Sequence, residues 1–302
     1  MRKLFLFLVL CLSLVGCGQT NTVQPDIVTT DFPCYDIVRA ITKDSDLNVR
    51  MLLKPGSDIH DYEPTPQDVI DMQSSKLLFL VGGESDSWLD DSLNDLKDTN
   101  IVKMMSLVDL KIEESVEGME EEDEEEEEYD EHVWTDPNNV IKIIKALLPT
   151  IIKLDPDHRS LYEKNADTYI KELKTIDKEI KDIVSKAKRK EIVIGDRFPM
   201  RYFCDAYGLK YHAAFPGCSE STEASAKTIS YLCDYVKNHH IPVIFKIEMS
   251  QSKIADTISQ ETGAKLETLQ SAHTVSADDF EAGITYIDLY KENIKVLKEA
   301  LY

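Results

Sequence analysis

The chain contains no Cys-x-x-Cys pair, no His-Glu-x-x-His signature and, beyond its first residues, no apolar run of about 18 residues. The first absence excludes thiolate zinc knuckles and thioredoxin-type redox chemistry, and the second excludes the common zinc-protease helix. The third leaves no segment able to span a bilayer in the body of the protein. Basic residues are scarce as well: 34 Lys and Arg stand against 56 Asp and Glu, for a formal net charge of −22. Phosphate neutralisation needs a cationic surface that this balance does not supply, so nucleic acid is excluded as a partner and cations are the natural counterpart.

What remains is ordinary globular composition, 42% hydrophobic and 30% charged over 302 residues. At about 100–200 residues per domain, that is roughly two domains' worth of chain. The acidity is concentrated: residues 113–131 hold 14 Asp and Glu and no Lys or Arg, so the rest is only mildly acidic. Its densest part, Glu120 to Glu131, is expected to be a disordered, self-repelling loop kept apart from the fold. It could gather cations near a site, within a Debye length of about 8 Å in physiological salt.

The chain opens with Arg2 and Lys3, continues through an apolar run to Val15, and reaches Leu14-Val15-Gly16-Cys17. The run is too short for a membrane span and reads as a secretory signal over 1–17. Small residues directly before Cys17 look like a bacterial lipobox, with Cys17 becoming the lipidated first residue and 18–25 a tether. The alternative is a soluble secreted protein with an incidental cysteine. The mature protein is thus expected outside the cytosol, anchored to a membrane and not embedded in it. In that compartment Cys34, Cys204, Cys218 and Cys233 permit disulfides, expected among the three in the C-terminal half.

Residues 26–154 alternate short β-rich runs (26–30, 49–53, 76–81, 101–104) with helical stretches, one beginning after Pro66. Residues 190–302 repeat the scheme with runs at 191–194, 243–247 and 265–269, helices near 198–207, 222–238 and 250–262, and a last helix over about 277–301. Apolar strands separated by helices indicate parallel sheets covered on both faces, hence an α/β fold with two parallel-sheet sandwich lobes. Between the lobes, Asp155-Pro156 reads as a helix start, followed by Tyr162, Ala166, Tyr169, Leu173, Ile176, Ile180 and Ile183 at alternating spacings of four and three. This predicts a single long backbone helix over 155–189, a rod of roughly 50 Å. Such a stripe could also dimerise as a coiled coil, but its place between two α/β halves favours packing within a monomer.

His60 lies in Lys54-Pro-Gly-Ser-Asp-Ile-His-Asp-Tyr-Glu-Pro-Thr-Pro66, directly after a strand, where open α/β sheets place ligands. His132 ends the acidic run in Glu131-His-Val-Trp-Thr-Asp-Pro137, leading into a helix that starts at or just after Asp136-Pro137, with Trp134 packing the end of the loop. His273, in Ser271-Ala-His-Thr-Val275, follows a strand of the second lobe as His60 follows one of the first. Three imidazoles on loops from both lobes can converge on the cleft between them. Imidazole suits Zn²⁺ and other later first-row ions, whereas an all-carboxylate site would favour Ca²⁺ or Mg²⁺. His158, His212, His239 and His240 read as structural or solvated.

Asp31-Phe-Pro-Cys-Tyr-Asp36, the segment 55–66, His132-Val-Trp-Thr-Asp-Pro137, Gly195-Asp-Arg-Phe-Pro-Met-Arg-Tyr-Phe203 and Lys253-Ile-Ala-Asp-Thr-Ile258 occur in this order over nearly the whole mature chain. In these motifs the chain resembles the substrate-binding lipoproteins of bacterial zinc and manganese ABC importers. The resemblance implies two α/β lobes on one rigid helix, a single metal in the interlobe cleft, and ligands at His60, His132 and, on a looser alignment, His273. At the family's third ligand position this chain has Arg197, which cannot bind a cation. The neighbouring Asp196 is the nearest oxygen donor; it could instead pair with Arg197 or cap the next helix, and Glu220 and Glu223 are further alternatives. The function expected is capture of Zn²⁺, with Mn²⁺ as the alternative, for a membrane permease, without catalysis. Rival readings are a zinc-dependent hydrolase using a three-His site and a surface adhesin on the same fold.

Overall fold

The computed structural model describes residues 24–57, 62–89, 96–120, 128–217, 224–251 and 253–302. The expectations for Cys17, His60, Cys218, Glu220 and Glu223 fall outside the described residues. In the N-terminal half, β1 (Ile27–Thr29), β2 (Val49–Met51), β3 (Leu77–Leu80) and β4 (Asn100–Lys103) form a parallel sheet in the order β2-β1-β3-β4. In the C-terminal half, β5 (Glu191–Arg197), β6 (Lys210–Phe215), β7 (Val243–Ile247) and β8 (Lys265–Leu269) form a second in the equivalent order β6-β5-β7-β8. Each sheet begins at an inner strand, steps outward, and returns to the other side, so the carboxyl ends of β1 and β3, and of β5 and β7, flank a reversal of strand order, the usual location of a ligand crevice. All four residues of β3 are buried, as expected for a strand covered on both faces.

The helices are α1 (Phe32–Thr42), α2 (Pro66–Ser74), α3 (Pro137–Leu154), α4 (Arg159–Lys186), α5 (Arg201–Tyr207), α6 (Ala226–His239), α7 (Ile254–Thr262), α8 (Ala277–Glu281) and α9 (Tyr286–Leu301). Asp136 caps α3 by accepting from Asn138 N–H, with Pro137 in the first turn, as the motif implied. The long helix α4 runs for 28 residues, roughly 42 Å at ~1.5 Å per residue. Its buried stripe contains every residue of the sequence pattern from Tyr162 to Ile183, joined by Ile170 and Val184. That stripe packs on α1 and α3 of the first lobe and on α5 and α9 of the second.

Three local expectations are corrected. Asp155 does not cap α4: its carboxylate is taken by Tyr162 Oη–H at 2.6 Å and His158 Nδ1 at 2.7 Å, and a short 3₁₀ turn, Pro156–His158, precedes the helix. The last helix is two, because Gly283 turns the chain at φ +74° and Thr285 starts α9 with a capping box to Asp288. Cys34, Cys204 and Cys233 are free thiols. Cys204 sits in the main core and Cys233 in a separate cluster behind the second sheet, so burial in different layers keeps them apart.

Two buried acidic features join the elements. Asp36 on α1 is 1% exposed; its carboxylate accepts from Tyr169 of α4 and the Tyr286 N–H of α9 (3.2 Å) and pairs with Arg39, which also donates to Ile284 O. First lobe, backbone helix and C-terminal helix therefore meet on one side chain. At the carboxyl ends of β1 and β3, Asp31, Asp86 and Glu131 lie together out of solvent. Asp31 Oδ1 accepts from Cys34 N–H, Asp86 Oδ2 from Gly82 N–H, and Glu131 Oε2 from both donors of Ser85. Burial, then the neighbouring charges of Asp86 and Glu131, push Asp31 up to about 8, and burial with Glu131 pushes Asp86 to about 7.

Removing Asp36 strands the Arg39 guanidinium and the Tyr169 hydroxyl, so Asp36→Ala should cost about 3 kcal/mol of unfolding free energy, read by urea denaturation. The native state holds a proton on Asp31 that the unfolded chain, with an ordinary carboxyl near 3.9, has released, so stability declines as pH rises from ~4 through ~8. Asp31→Asn keeps the cap without the charge. Its stability relative to the parent should rise by at least one pK unit's worth, about 1.4 kcal/mol, between pH 5.5 and pH 8.5.

Candidate metal centre

His132 and His273 reach the same point from opposite halves of the chain. Their ring centroids are 5.6 Å apart and nearly perpendicular, and the Trp134 ring lies 5.3 Å from each. His132 precedes the 3₁₀ turn Val133–Thr135 that leads into α3 and is 1% exposed. Its Nδ1 lies 3.1 Å from Asp130 Oδ1, which also accepts the His132 N–H at 2.8 Å. A carboxylate on Nδ1 fixes the tautomer that leaves Nε2 free to ligate, the usual outer support of a metal-bound imidazole. Burial works against a charged imidazolium, yet Asp130, then Glu131 and Glu113, outweigh it and raise the His132 pKa. The surroundings of the ring are built for positive charge.

Trp134 is fully buried, as the sequence suggested, and ties the two halves together: its Nε1–H donates to Ser271 O at 2.9 Å. Tyr286 and Tyr290 of α9 donate their hydroxyls to the carbonyls of Trp134 and Thr135. On the other wall, the turn after β8 is held by Glu248 at the end of β7, which accepts from Ser271 N–H (2.7 Å), Ser271 Oγ–H (2.6 Å) and His273 N–H (2.9 Å). The loop that leads to His60 also crosses to this wall, since Gly56 N–H donates to Thr274 Oγ1 at 3.3 Å, one residue past His273.

Of the four expected ligands, the structure thus brings His132 and His273 together, while His60 lies outside the described residues. Asp196 is buried at the carboxyl end of β5; its Oδ1 accepts the N–H of Arg197 at 2.9 Å and its Oδ2 makes no hydrogen bond among the described residues. Among the described residues no three His, Cys, Asp or Glu side chains are gathered closely enough to hold a metal. Gly217 borders the centre: a Cβ there would stand 3.3 Å from both His132 Cε1 and Glu113 Oε1. The chain leaves that point for the segment containing Glu220 and Glu223. The other histidines are occupied elsewhere, His158 with Asp155, His212 and His239 against Tyr235, and His240 in a left-handed cap of α6.

The run Glu120–Glu131, expected to be disordered, is held at both ends, and the acidic residues just before it are ordered as well. Its base is a hairpin: Glu113 N–H donates to Glu128 O and Asp130 N–H to Lys111 O, both at 2.9 Å. From there 113–120 crosses to the second lobe. Glu114 pairs with Arg201 and accepts from Tyr211 Oη–H, Glu120 N–H donates to Ala214 O, and the Glu120 carboxylate accepts from Ser225 N–H. Gly118 lies so close to the Tyr231 ring that no side chain fits, and Met119 is buried. Apolar residues interspersed among the acids, with an arginine, a tyrosine and a helix N-terminus to receive the carboxylates, turn this part of the run into a strap. Residues 121–127 lie outside the described residues.

Sequence reasoning missed Asp130, Glu113 and Glu248. The first two were hidden among other acids of the run; Glu248 stands at a strand's carboxyl end beside the reversal of strand order, a position that could have singled it out.

Comparison with known proteins agrees with this architecture. A family model described as "Zinc-uptake complex component A periplasmic" (ZnuA) matches residues 27–300. The high-affinity zinc uptake system protein ZnuA of Bacillus subtilis is 32% identical over 311 residues, covering 99% of this chain and 97% of that protein. The zinc-binding lipoprotein AdcA of Streptococcus pneumoniae is 31% identical over 310 residues, covering 99% of this chain but 61% of that longer one. Among solved structures, the Zn(II)-bound ZnuA-like domain of Streptococcus pneumoniae AdcA superposes with a TM-score of 0.75 at 30% identity, covering 92% of this chain and 99% of that one.

Proposed function

The chain belongs to the ZnuA family of periplasmic zinc-uptake components, and from that premise we propose that it is an extracytoplasmic receptor that captures Zn²⁺ between its lobes and hands it to the permease of an ABC importer. The observation that carries this reading is the meeting of His132 and His273, one from each half, with the first already oriented by Asp130. His60 is the third ligand. Its support is the anchoring of its loop at Thr274, beside His273. Asp196 supplies the fourth donor, supported by a buried carboxylate oxygen that no described group satisfies. Three imidazoles and one oxygen make a tetrahedral set suited to Zn²⁺ over Mn²⁺, which prefers more oxygen. The protein is a monomeric carrier and not a catalyst, held at the membrane by a lipid on Cys17, as the small residues before that cysteine suggest.

Calorimetric titration of the metal-stripped mature protein should give tighter binding of Zn²⁺ than of Mn²⁺. His60→Ala, His132→Ala and His273→Ala should each weaken Zn²⁺ binding beyond the roughly 10–100-fold that loss of an outer-shell partner costs. Asp196→Asn should weaken it more than Glu220→Gln or Glu223→Gln; the reverse order moves the oxygen ligand to the segment after Gly217. Because α4 is one helix packed on both lobes, solution scattering should show the same radius of gyration with and without Zn²⁺, and a closure by tens of degrees would contradict the carrier described here.

A further inference from the structure

The turn that presents His273 is not held by its own sequence. Ala272 adopts a left-handed conformation, φ +62°, that an L-residue with a Cβ rarely takes, and it does so fully buried, where no solvent bond can compensate. A residue in this conformation turns the flanking N–H groups toward one point and makes a concave site for an anion. The two N–H groups that flank Ala272, those of Ser271 and His273, both donate to Glu248, and Ser271 Oγ–H adds a third bond to the same carboxylate. Neighbouring residues clamp the turn further back: Asn293 exchanges two hydrogen bonds with the backbone of Gln270, and Trp134 takes the Ser271 carbonyl. At the backbone of His273 itself Glu248 is the nearer acceptor, at 2.9 Å, and Ser271 Oγ, which Glu248 also holds, is the farther, at 3.3 Å.

We propose that Glu248 is the positioning residue of the metal centre: its carboxylate is the anion around which 271–273 folds, and it thereby sets where the His273 imidazole lies relative to His132. Glu248 is mounted at the end of β7, an inner strand hydrogen-bonded to β5 and β8, so the reference point it provides belongs to the sheet and not to the loop. A neutral amide could not replace it. One of its two ends would be an NH₂ facing donors, and the turn would lose part of the reason to keep Ala272 left-handed. The proposal rests on the reading of His273 as a ligand.

The test compares parent, Glu248→Gln, Glu248→Asp, His273→Ala and the Glu248→Gln/His273→Ala double variant of the mature protein. Zn²⁺ affinity is read by competition with a chromogenic chelator, and the visible d–d absorption of the Co²⁺-loaded protein reports ligand geometry. Glu248→Gln should weaken Zn²⁺ binding roughly 10–100-fold and alter the Co²⁺ spectrum, with Glu248→Asp, which keeps the charge, falling between it and the parent. In the His273→Ala background the same substitution should cost no more than about 2-fold, because a residue that acts through His273 has nothing left to position. An equal loss in both backgrounds, or an unchanged affinity and Co²⁺ spectrum in Glu248→Gln, overturns the proposal. If His273→Ala leaves affinity intact, the ligand reading fails and this inference falls with it; if His273→Ala is costly and Glu248→Gln is not, only the inference falls. Should Glu248→Gln fail to fold, Ser271→Ala removes one of the three bonds and carries the same cycle, with an expected loss of roughly 3-fold.

Discussion

Everything at the candidate metal centre depends on the apolar stripe along α4. A metal ligand set divided between two lobes is only as exact as the relation between those lobes, and here that relation is fixed by one continuous helix whose buried side chains are shared by helices of both. Each fully buried Leu or Ile on it contributes about 1.5–3 kcal/mol, and those contributions are available only when both lobes are docked. Asp36 adds direction to this greasy contact: three elements hydrogen-bond to one carboxylate and thus cannot slide along the stripe. Apolar burial supplies the strength, and the buried polar hub supplies the register.

The centre is then assembled by carboxylates acting on histidines and not by histidines alone. Asp130 orients His132 from its own loop, and Glu248 takes the backbone of His273 from the adjacent strand. Trp134 closes the arrangement by lying against both rings while bonding the carbonyl before Ala272. The acids at the ends of β1 and β3 stand at the equivalent reversal point of the other sheet, where burial leaves Asp31 and Asp86 protonated more readily than any exposed carboxyl. The two lobes thus place acidic side chains at matching topological positions and use them differently, one set to hold protons and one to hold the turn before His273.

Much of this was legible in the residues. Seven of the eight described strands, the start of α3 at Asp136-Pro137 and the α4 stripe follow from periodicity and from Pro after a capping residue, which are local properties, whereas β6 was not among the expected strands. The pairing of His132 with His273 was inferable because both follow or precede elements at loop positions where α/β sheets bind ligands. Outer support was not legible. Asp130 is one acid in a run of acids, and which of them turns inward depends on the hairpin base formed by Lys111, Glu113, Glu128 and Asp130. The strap was hidden because the partners that immobilise it, Arg201, Tyr211 and the Ser225 N–H, lie some 87 to 105 positions away along the chain. Cysteine spacing misled because even counts permit disulfides only where folding brings the thiols together.

The strap also separates two things that the sequence runs together. Glu120 is fastened to the second lobe and Glu128 to the hairpin base, so the seven acids between them are a span with both ends moored. Closing a longer span between fixed ends costs only about 0.6 kcal/mol for each doubling of its length. The run can therefore lengthen, shorten or exchange its acids for other cation-seeking side chains while the anchors stay put, leaving the histidines to evolve under one set of pressures and the charged span under another.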